Sequence, residues 1–308
     1  MPGGNVHLSF LDPQGPIAAL QRVHFYEVLG VLVVLVAIPI FVLTPWFAWR
    51  YRYGASGVRY TPHWDHFWLI EIATWAGPVA IVGALAFLLW RDSHRLDPYR
   101  PLASTQPALR IQVIGYDWKW LFIYPDQGIA TVGTLAIPVG RPLALQLTSA
   151  TVMQSLLIPA LGSQIYAMGG MVTQLHLQAT KPGRLLGENT MFNGRGFQQQ
   201  RFTALALPAA DFNRWVQNVK THGIPFSERT LAAIAREGSR ADLTSALSRS
   251  GAAGELELTD VPAGFFSTLV KATMNDAPVH LPSIAAGDRP GHPPSGSAVA
   301  ALASAPRP

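Results

Sequence analysis

The chain has 308 residues, of which 49% are hydrophobic and 13% charged, with a formal net charge of +5 and no cysteine. An ordinary soluble domain is roughly 25% charged, so this balance is that of a membrane protein. The lack of Cys excludes disulfides and thiolate metal sites, and the positive charge comes with no base-stacking motif or dense Lys/Arg patch that would suggest a nucleic-acid partner.

Residues 1–22 form an N-terminal segment with no Lys or Arg before Arg22. Two uncharged runs follow, Val28–Trp49 and Ile72–Trp90. About 20 residues rising 1.5 Å each cross a hydrocarbon core of about 30 Å, so a transmembrane helical hairpin is expected over 23–97. Both runs are too long for a signal-peptide core, and no basic segment opens the chain. Pro39, Pro45 and Pro78 fall inside the runs, which membrane helices tolerate. Trp46, Trp49 and Trp90 stand at their ends, as interfacial aromatics do. Between the runs lie Arg50, Arg52 and Arg59, which place this loop in the cytoplasm and both termini outside.

The character changes after Pro101. LRIQVIGY (109–116), PLALQLT (142–148), TQLHLQA (173–179) and FTALAL (202–207) alternate apolar and polar residues between Gly/Pro-rich turns, which predicts a small β-sandwich or barrel over 101–210. From Asp211 to about Asn275 the periodicity is helical, with Phe212, Trp215, Val216 and Val219 on one face, and this amphipathic face is expected to pack on the β-domain. Residues 281–308 are rich in Pro, Ala, Gly and Ser and are expected to be a disordered tail.

The architecture is therefore membrane α+β: a two-helix transmembrane hairpin, an exterior β-sandwich and a helical C-terminal extension. YDWKWLFIYPDQGIATVGTLAIP (116–138), TVMQSLLIPALGSQIYAMGGM (151–171) and GENTMFNGRGFQQQRF (187–202) carry a resemblance. They resemble, in order and spacing, the cupredoxin-like domain of subunit II of the haem–copper respiratory oxidases, in particular the bo-type ubiquinol oxidases. The likeness runs from about Leu11 to Phe226. It implies a cupredoxin-like sandwich in a bacterial inner membrane, both termini and the β-domain periplasmic.

In cytochrome c oxidases of this family a His, two Cys, a second His and a Met hold a binuclear copper centre, thiolate and imidazole being the ligands copper requires. The resemblance lays these positions on Gln154, Asn189, Asn193, Phe197 and Gln200, so no ligand remains. His176, in an alternating strand, is expected to be an ordinary strand residue. Gly187, Gly194 and Gly196 are expected to set the turns of the ligand-free loop. Trp118 and Trp120 match the aromatic region that admits electrons in cytochrome c-dependent relatives. With no acceptor behind them they are expected to serve packing alone.

Glu71, at the cytoplasmic end of the second span, is by its charge either an interfacial carboxylate or a functional one. Its arrangement with Trp75 and Pro78 resembles the family segment whose Glu stands at the entrance of a proton-uptake pathway shared with subunit I. Glu27, at the other end of the first span, is expected to be interfacial. The resemblance implies a non-catalytic subunit of a proton-pumping ubiquinol oxidase. Haems and active-site copper would belong to subunit I, ubiquinol would be substrate of the complex, and subunits III and IV and membrane lipid would be further partners. A subunit of a cytochrome c or other-donor oxidase and a stand-alone membrane-tethered β-sandwich are the alternatives. Relatives often begin with a signal peptide ending in a lipid-modified Cys. This chain has no Cys to carry that anchor, and either the first span delivers the N-terminus outward or the gene starts upstream.

Overall fold

The computed structural model describes residues 6–7, 9–54, 67–247 and 256–275. The loop residue Arg59 and the tail expected at 281–308 lie outside the described residues. The first long helix runs Pro16–Arg50 as α1 (Pro16–Leu32), a π-helical turn (Val33–Ala37) and α2 (Ile38–Arg50), and the second is α3 (Trp68–Arg95). The π turn has a local cause. Pro39 has no N–H to donate and its ring would crowd the carbonyl four residues back; the widened register, seen in the bond from Ile38 N–H to the Val33 carbonyl, makes room.

At 35 residues the first helix is about 52 Å long, well beyond the hydrocarbon thickness. Its start, within the N-terminal segment 1–22, docks on the β-domain. Gln14 N–H donates to the Ala160 carbonyl (2.8 Å), Ala18 N–H to that of Leu161 (3.1 Å), and Thr180 N–H to that of Gln14 (2.7 Å). A Cβ on Gly15 would lie 2.3 Å from the Gln178 carbonyl oxygen, so only glycine permits this approach.

The β-domain is a sandwich. Its strands are β1 (Val6–His7), β2 (Leu109–Tyr116), β3 (Lys119–Tyr124), β4 (Ile129–Val132), β5 (Thr134–Pro138), β6 (Leu143–Ser149) and β7 (Gln154–Leu157). They continue with β8 (Gln164–Ala167), β9 (Thr173–Leu177), β10 (Gly183–Asn189), β11 (Arg201–Leu207), β12 (Ile224–Pro225) and β13 (Leu256–Thr259). One sheet has the order β5-β11-β10-β7-β8, with β1 also on β10, and the other β12-β13-β4-β3-β2-β6-β9. Between the sheets lies a core that includes Leu109, Ile111, Val113, Trp120, Phe122, Tyr124 and Phe202. Each large apolar side chain buried there contributes about 1.5–3 kcal/mol. The Tyr124 hydroxyl bridges the sheets by donating to the Ala136 carbonyl (2.8 Å) and accepting from Ala136 N–H (2.9 Å).

The seven-stranded sheet is apolar on its other face too. Ile114, Tyr116, Leu121, Ile123, Ala130 and Val132 alternate with the first set and form a second core beneath the C-terminal region. That region comprises α4 (Ala209–His222), α5 (Glu228–Ala235), α6 (Arg240–Leu247) and α7 (Phe265–Met274). It is not helical throughout, as its periodicity suggested: β12 and β13 extend the sheet, β13 antiparallel to β4. In α4, Phe212, Val216 and Val219 are buried, and Trp215 packs against the first core, its indole N–H donating to Glu257 Oε1 (2.9 Å). Lys119 fastens the extension. The residue is only 3% exposed, and its ammonium donates to the carbonyls of Arg236 (2.6 Å), Gly238 (2.7 Å) and Asp117 (3.2 Å). Burial pushes its pKa down, against the raising pull of Asp117, Asp242 and Glu237.

Candidate functional site

At the tip of the sandwich, β2 and β3 are joined by the two-residue turn Asp117-Trp118, where Trp118 takes a left-handed backbone (φ 63°). Against this turn lie the start of β7, the end of β10 and the loop to β11. Gln154, Asn189, Asn193 and Gln200, four of the five positions singled out in the sequence, meet here. Gln154, Asn189 and Gln200 are buried and Asn193 is half-buried.

The four carboxamides form one network centred on Gln200. Its Nε2 donates to Gln154 Oε1 (2.5 Å) and to the Tyr116 carbonyl (3.4 Å). Its Oε1 accepts from Asn189 Nδ2 (2.9 Å) and Asn193 Nδ2 (2.7 Å). Asn189 Oδ1 accepts from the N–H groups of Ser155 (2.9 Å) and Met191 (3.0 Å), while Gln154 Nε2 donates to the Tyr116 carbonyl (3.1 Å). Gly115 is shaped to this network, since a Cβ there would lie 2.3 Å from Gln154 Oε1.

Phe197 does not join the amides. It opens a short 3-10 turn, half-buried, with its ring 5.8 Å from that of Phe192. As a copper site this set does not fit: neutral amide oxygens are hard donors and Gln200 already uses all of its hydrogen-bonding capacity, whereas copper selects thiolate, thioether and imidazole. The arrangement can hold a loop in place, but it offers no electron acceptor.

The glycines work differently from the sequence expectation. Only Gly194 has a left-handed backbone (φ 109°). Gly187 and Gly196 serve close approach: a Cβ would lie 2.1 Å from the Phe202 ring at the first and 2.0 Å from the Trp118 indole at the second. The indole N–H donates to the Asn193 carbonyl (3.2 Å), so Trp118 lies across the loop and holds it. Gly196→Ala is therefore expected to destabilise the domain by about 1–3 kcal/mol through this overlap. Thermal unfolding followed by tryptophan fluorescence measures the loss, and an unchanged midpoint would refute the account.

His176 lies in β9, and its N–H and Nδ1 are each 3.1 Å from the Pro98 carbonyl, which ties the segment after α3 to the sheet. Glu71 lies in the first turn of α3, exposed, with Trp75 one turn on and 71% exposed. The positive end of a helix favours a carboxylate there. The amide network and Glu71 are not brought together; they stand on separate elements.

One cluster escaped the sequence reading. Where α1 and α3 meet below the sandwich, Asp92 accepts from His24 Nδ1 (2.5 Å) and from Arg91 (two contacts of 2.8 Å), while Arg91 also pairs with Glu27. Glu27, expected to be merely interfacial, thus joins the two helices. The signal was there: His24 and Glu27 share a helix face, and Arg91 and Asp92 end the opposite run.

No family model matches the chain. It is 44% identical over 231 residues to ubiquinol oxidase subunit 2 of Acetobacter aceti, covering 74% of this chain and 75% of the relative. It is 44% identical over 212 residues to cytochrome bo(3) ubiquinol oxidase subunit 2 of Pseudomonas putida, covering 69% and 67%. Among solved structures, the periplasmic domain of subunit II of cytochrome oxidase from Bradyrhizobium japonicum is 23% identical and matches at a TM-score of 0.36, covering 38% of this chain and 98% of that domain.

Proposed function

The chain belongs to the subunit II family of the ubiquinol oxidases, and we propose that within such a complex it is a non-catalytic subunit that takes no electrons itself. The amide network carries this reading. Four of the positions where copper-bearing members of the family hold ligands here satisfy one another as hydrogen-bonded carboxamides. The electrons of ubiquinol then reach the haems and copper of subunit I without crossing this chain, which contributes its fold, its contact with subunit I and further subunits such as III and IV, and a carboxylate at Glu71.

The two apolar helices fit an inner-membrane protein. In the proposed topology the loop after Gly54 is cytoplasmic and the sandwich periplasmic, because Arg50 and Arg52 hold the loop inside. Glu71 then stands at the cytoplasmic surface, where protons for oxygen reduction and for pumping are taken up.

Oxygen uptake by the purified complex tests the electron route. Ubiquinol is expected to sustain turnover and reduced cytochrome c to leave it at background. Uptake driven by cytochrome c at a rate comparable to that with ubiquinol would overturn the proposal.

A further inference from the structure

Asn193 is the one asparagine of the chain followed by glycine, and it stands in the loop between β10 and β11. A side-chain amide is labile where the next backbone nitrogen can reach its carbon, and a following residue without a Cβ leaves that nitrogen open. We propose that Asn193 is a self-modifying site, converted by its own backbone to aspartate and isoaspartate at a rate set by the amide network.

The Gly194 nitrogen attacks Asn193 Cγ and closes a cyclic imide. The Cγ–Nδ2 bond breaks, and ammonia leaves with the proton of the attacking nitrogen. Water then opens the ring. Addition at Cγ gives aspartate, and addition at the backbone carbonyl gives isoaspartate, whose chain continues through Cγ. The step needs no oxidant, reductant or second enzyme.

The geometry slows this reaction without forbidding it. Asn193 Nδ2 donates to Gln200 Oε1 (2.7 Å), and its backbone carbonyl accepts from the Trp118 indole (3.2 Å). The carboxamide must swing off Gln200 before it can be attacked. That one bond is its whole hold, since Oδ1 is buried without a partner among the described residues, where the Gly194 N–H also makes no hydrogen bond. Asn189 is the contrast. Ser155, Met191 and Gln200 hold both ends of its carboxamide, and the branched Thr190 follows it.

The product matters because the network cannot turn over to receive it. The N–H groups of Ser155 and Met191 fix Asn189 Oδ1, which points Asn189 Nδ2 at Gln200 and so keeps Gln200 Oε1 toward residue 193. A carboxylate at 193 therefore meets an acceptor where the amide met one as donor. It is expelled, and the loop loosens under Trp118. Isoaspartate adds a backbone methylene to the same disturbance.

The test ages the purified oxidase in mildly alkaline heavy-oxygen water and maps its peptides by mass spectrometry. Heavy oxygen is expected at position 193, shared between aspartate and isoaspartate, and none at Asn189. Its uptake should rise with pH, because the attacking nitrogen has to lose its proton. A synthetic peptide of residues 187–202 should react about tenfold faster than the folded chain, the scale of one hydrogen bond. Asn193→Gln should take up no label there. Asn193→Asp stands in for the product: at unchanged haem content, trypsin should cut it after the exposed Arg195 about tenfold faster than wild type. No label at 193, equal rates for peptide and folded chain, or equal cutting of Asn193→Asp and wild type would each overturn the proposal.

Discussion

Gln200→Leu is expected to cost the β-domain about 2–5 kcal/mol. The Leu keeps much of the volume but removes both halves of the central amide. Gln154 Oε1, wholly buried, loses its donor, and Asn193 Nδ2 loses its acceptor. Each polar group so stranded costs about 1–3 kcal/mol. Asn189 suffers less, because its Nδ2 also donates to the Met191 carbonyl (2.8 Å). Gln200→Glu separates hydrogen bonding from shape. A carboxylate can still accept from Asn189 and Asn193, but its second oxygen would face Gln154 Oε1 and the Tyr116 carbonyl, two acceptors. Its folded pKa would then be raised, so this variant should be weakest at neutral pH and recover as pH falls toward the carboxyl range. Chemical unfolding of the wild type and both variants measures these differences. A Gln200→Leu midpoint equal to wild type would show that the amides are only neighbours.

The same network explains why restoring a single copper ligand should yield no metal site. Changing Gln154 to His, for example, strands Gln200 and leaves one soft donor among amides. Five simultaneous changes are needed, at Gln154, Asn189, Asn193, Phe197 and Gln200, and Phe197 has to turn inward from its contact with Phe192.

Much of the fold was legible because burial on one side leaves a period. Val28–Trp49 and Ile72–Trp90 announce themselves by lacking charge, and LRIQVIGY gave the bounds of β2, with one face buried along its whole length. KWLFIY shows no such alternation, since the extension covers the sheet's outer face and every residue of β3 is buried. ELELT does alternate, but it is short and lies between helical windows, so β13 was missed. At the site, the positions could be placed only through the resemblance. Composition says that the amides are not copper ligands, but their convergence on Gln200 comes from bringing together β7, β10 and the loop before β11, which no local pattern encodes. His24 with Asp92 and Glu27 with Arg91 pair across 64 residues or more of sequence, so the shared helix face of His24 and Glu27 hints at a cluster and the packing of α1 on α3 supplies its partners.

Glu71→Ala is expected to slow ubiquinol turnover of the assembled oxidase about tenfold while leaving its haems and the KM for quinol unchanged. This is less than the roughly hundredfold contribution of a positioned acid–base group, because in the proposed topology bulk water can still deliver protons to this end of α3, only more slowly. The carboxylate occupies the first turn of α3, and it is not buried by its own chain. A group so placed exchanges protons with water and passes them to whatever hydrogen-bonded path subunit I presents. Ala preserves the helix, so loss of rate would not reflect loss of fold. Glu71→Asp retains a titrating group at shorter reach and should keep a substantial part of the rate. Glu71→Gln is the sharper control, for it conserves shape and hydrogen bonding but cannot ionise, and it should behave like Ala. The orientation is checked alongside with a reporter fused after Gly54, active only if that loop is cytoplasmic. Wild-type rates for both Glu71→Gln and Glu71→Ala from neutral to alkaline pH would reduce Glu71 to an interfacial carboxylate. A cytoplasmic reporter signal with slow Glu71→Gln and partly active Glu71→Asp would leave proton relay as the property that distinguishes the three side chains.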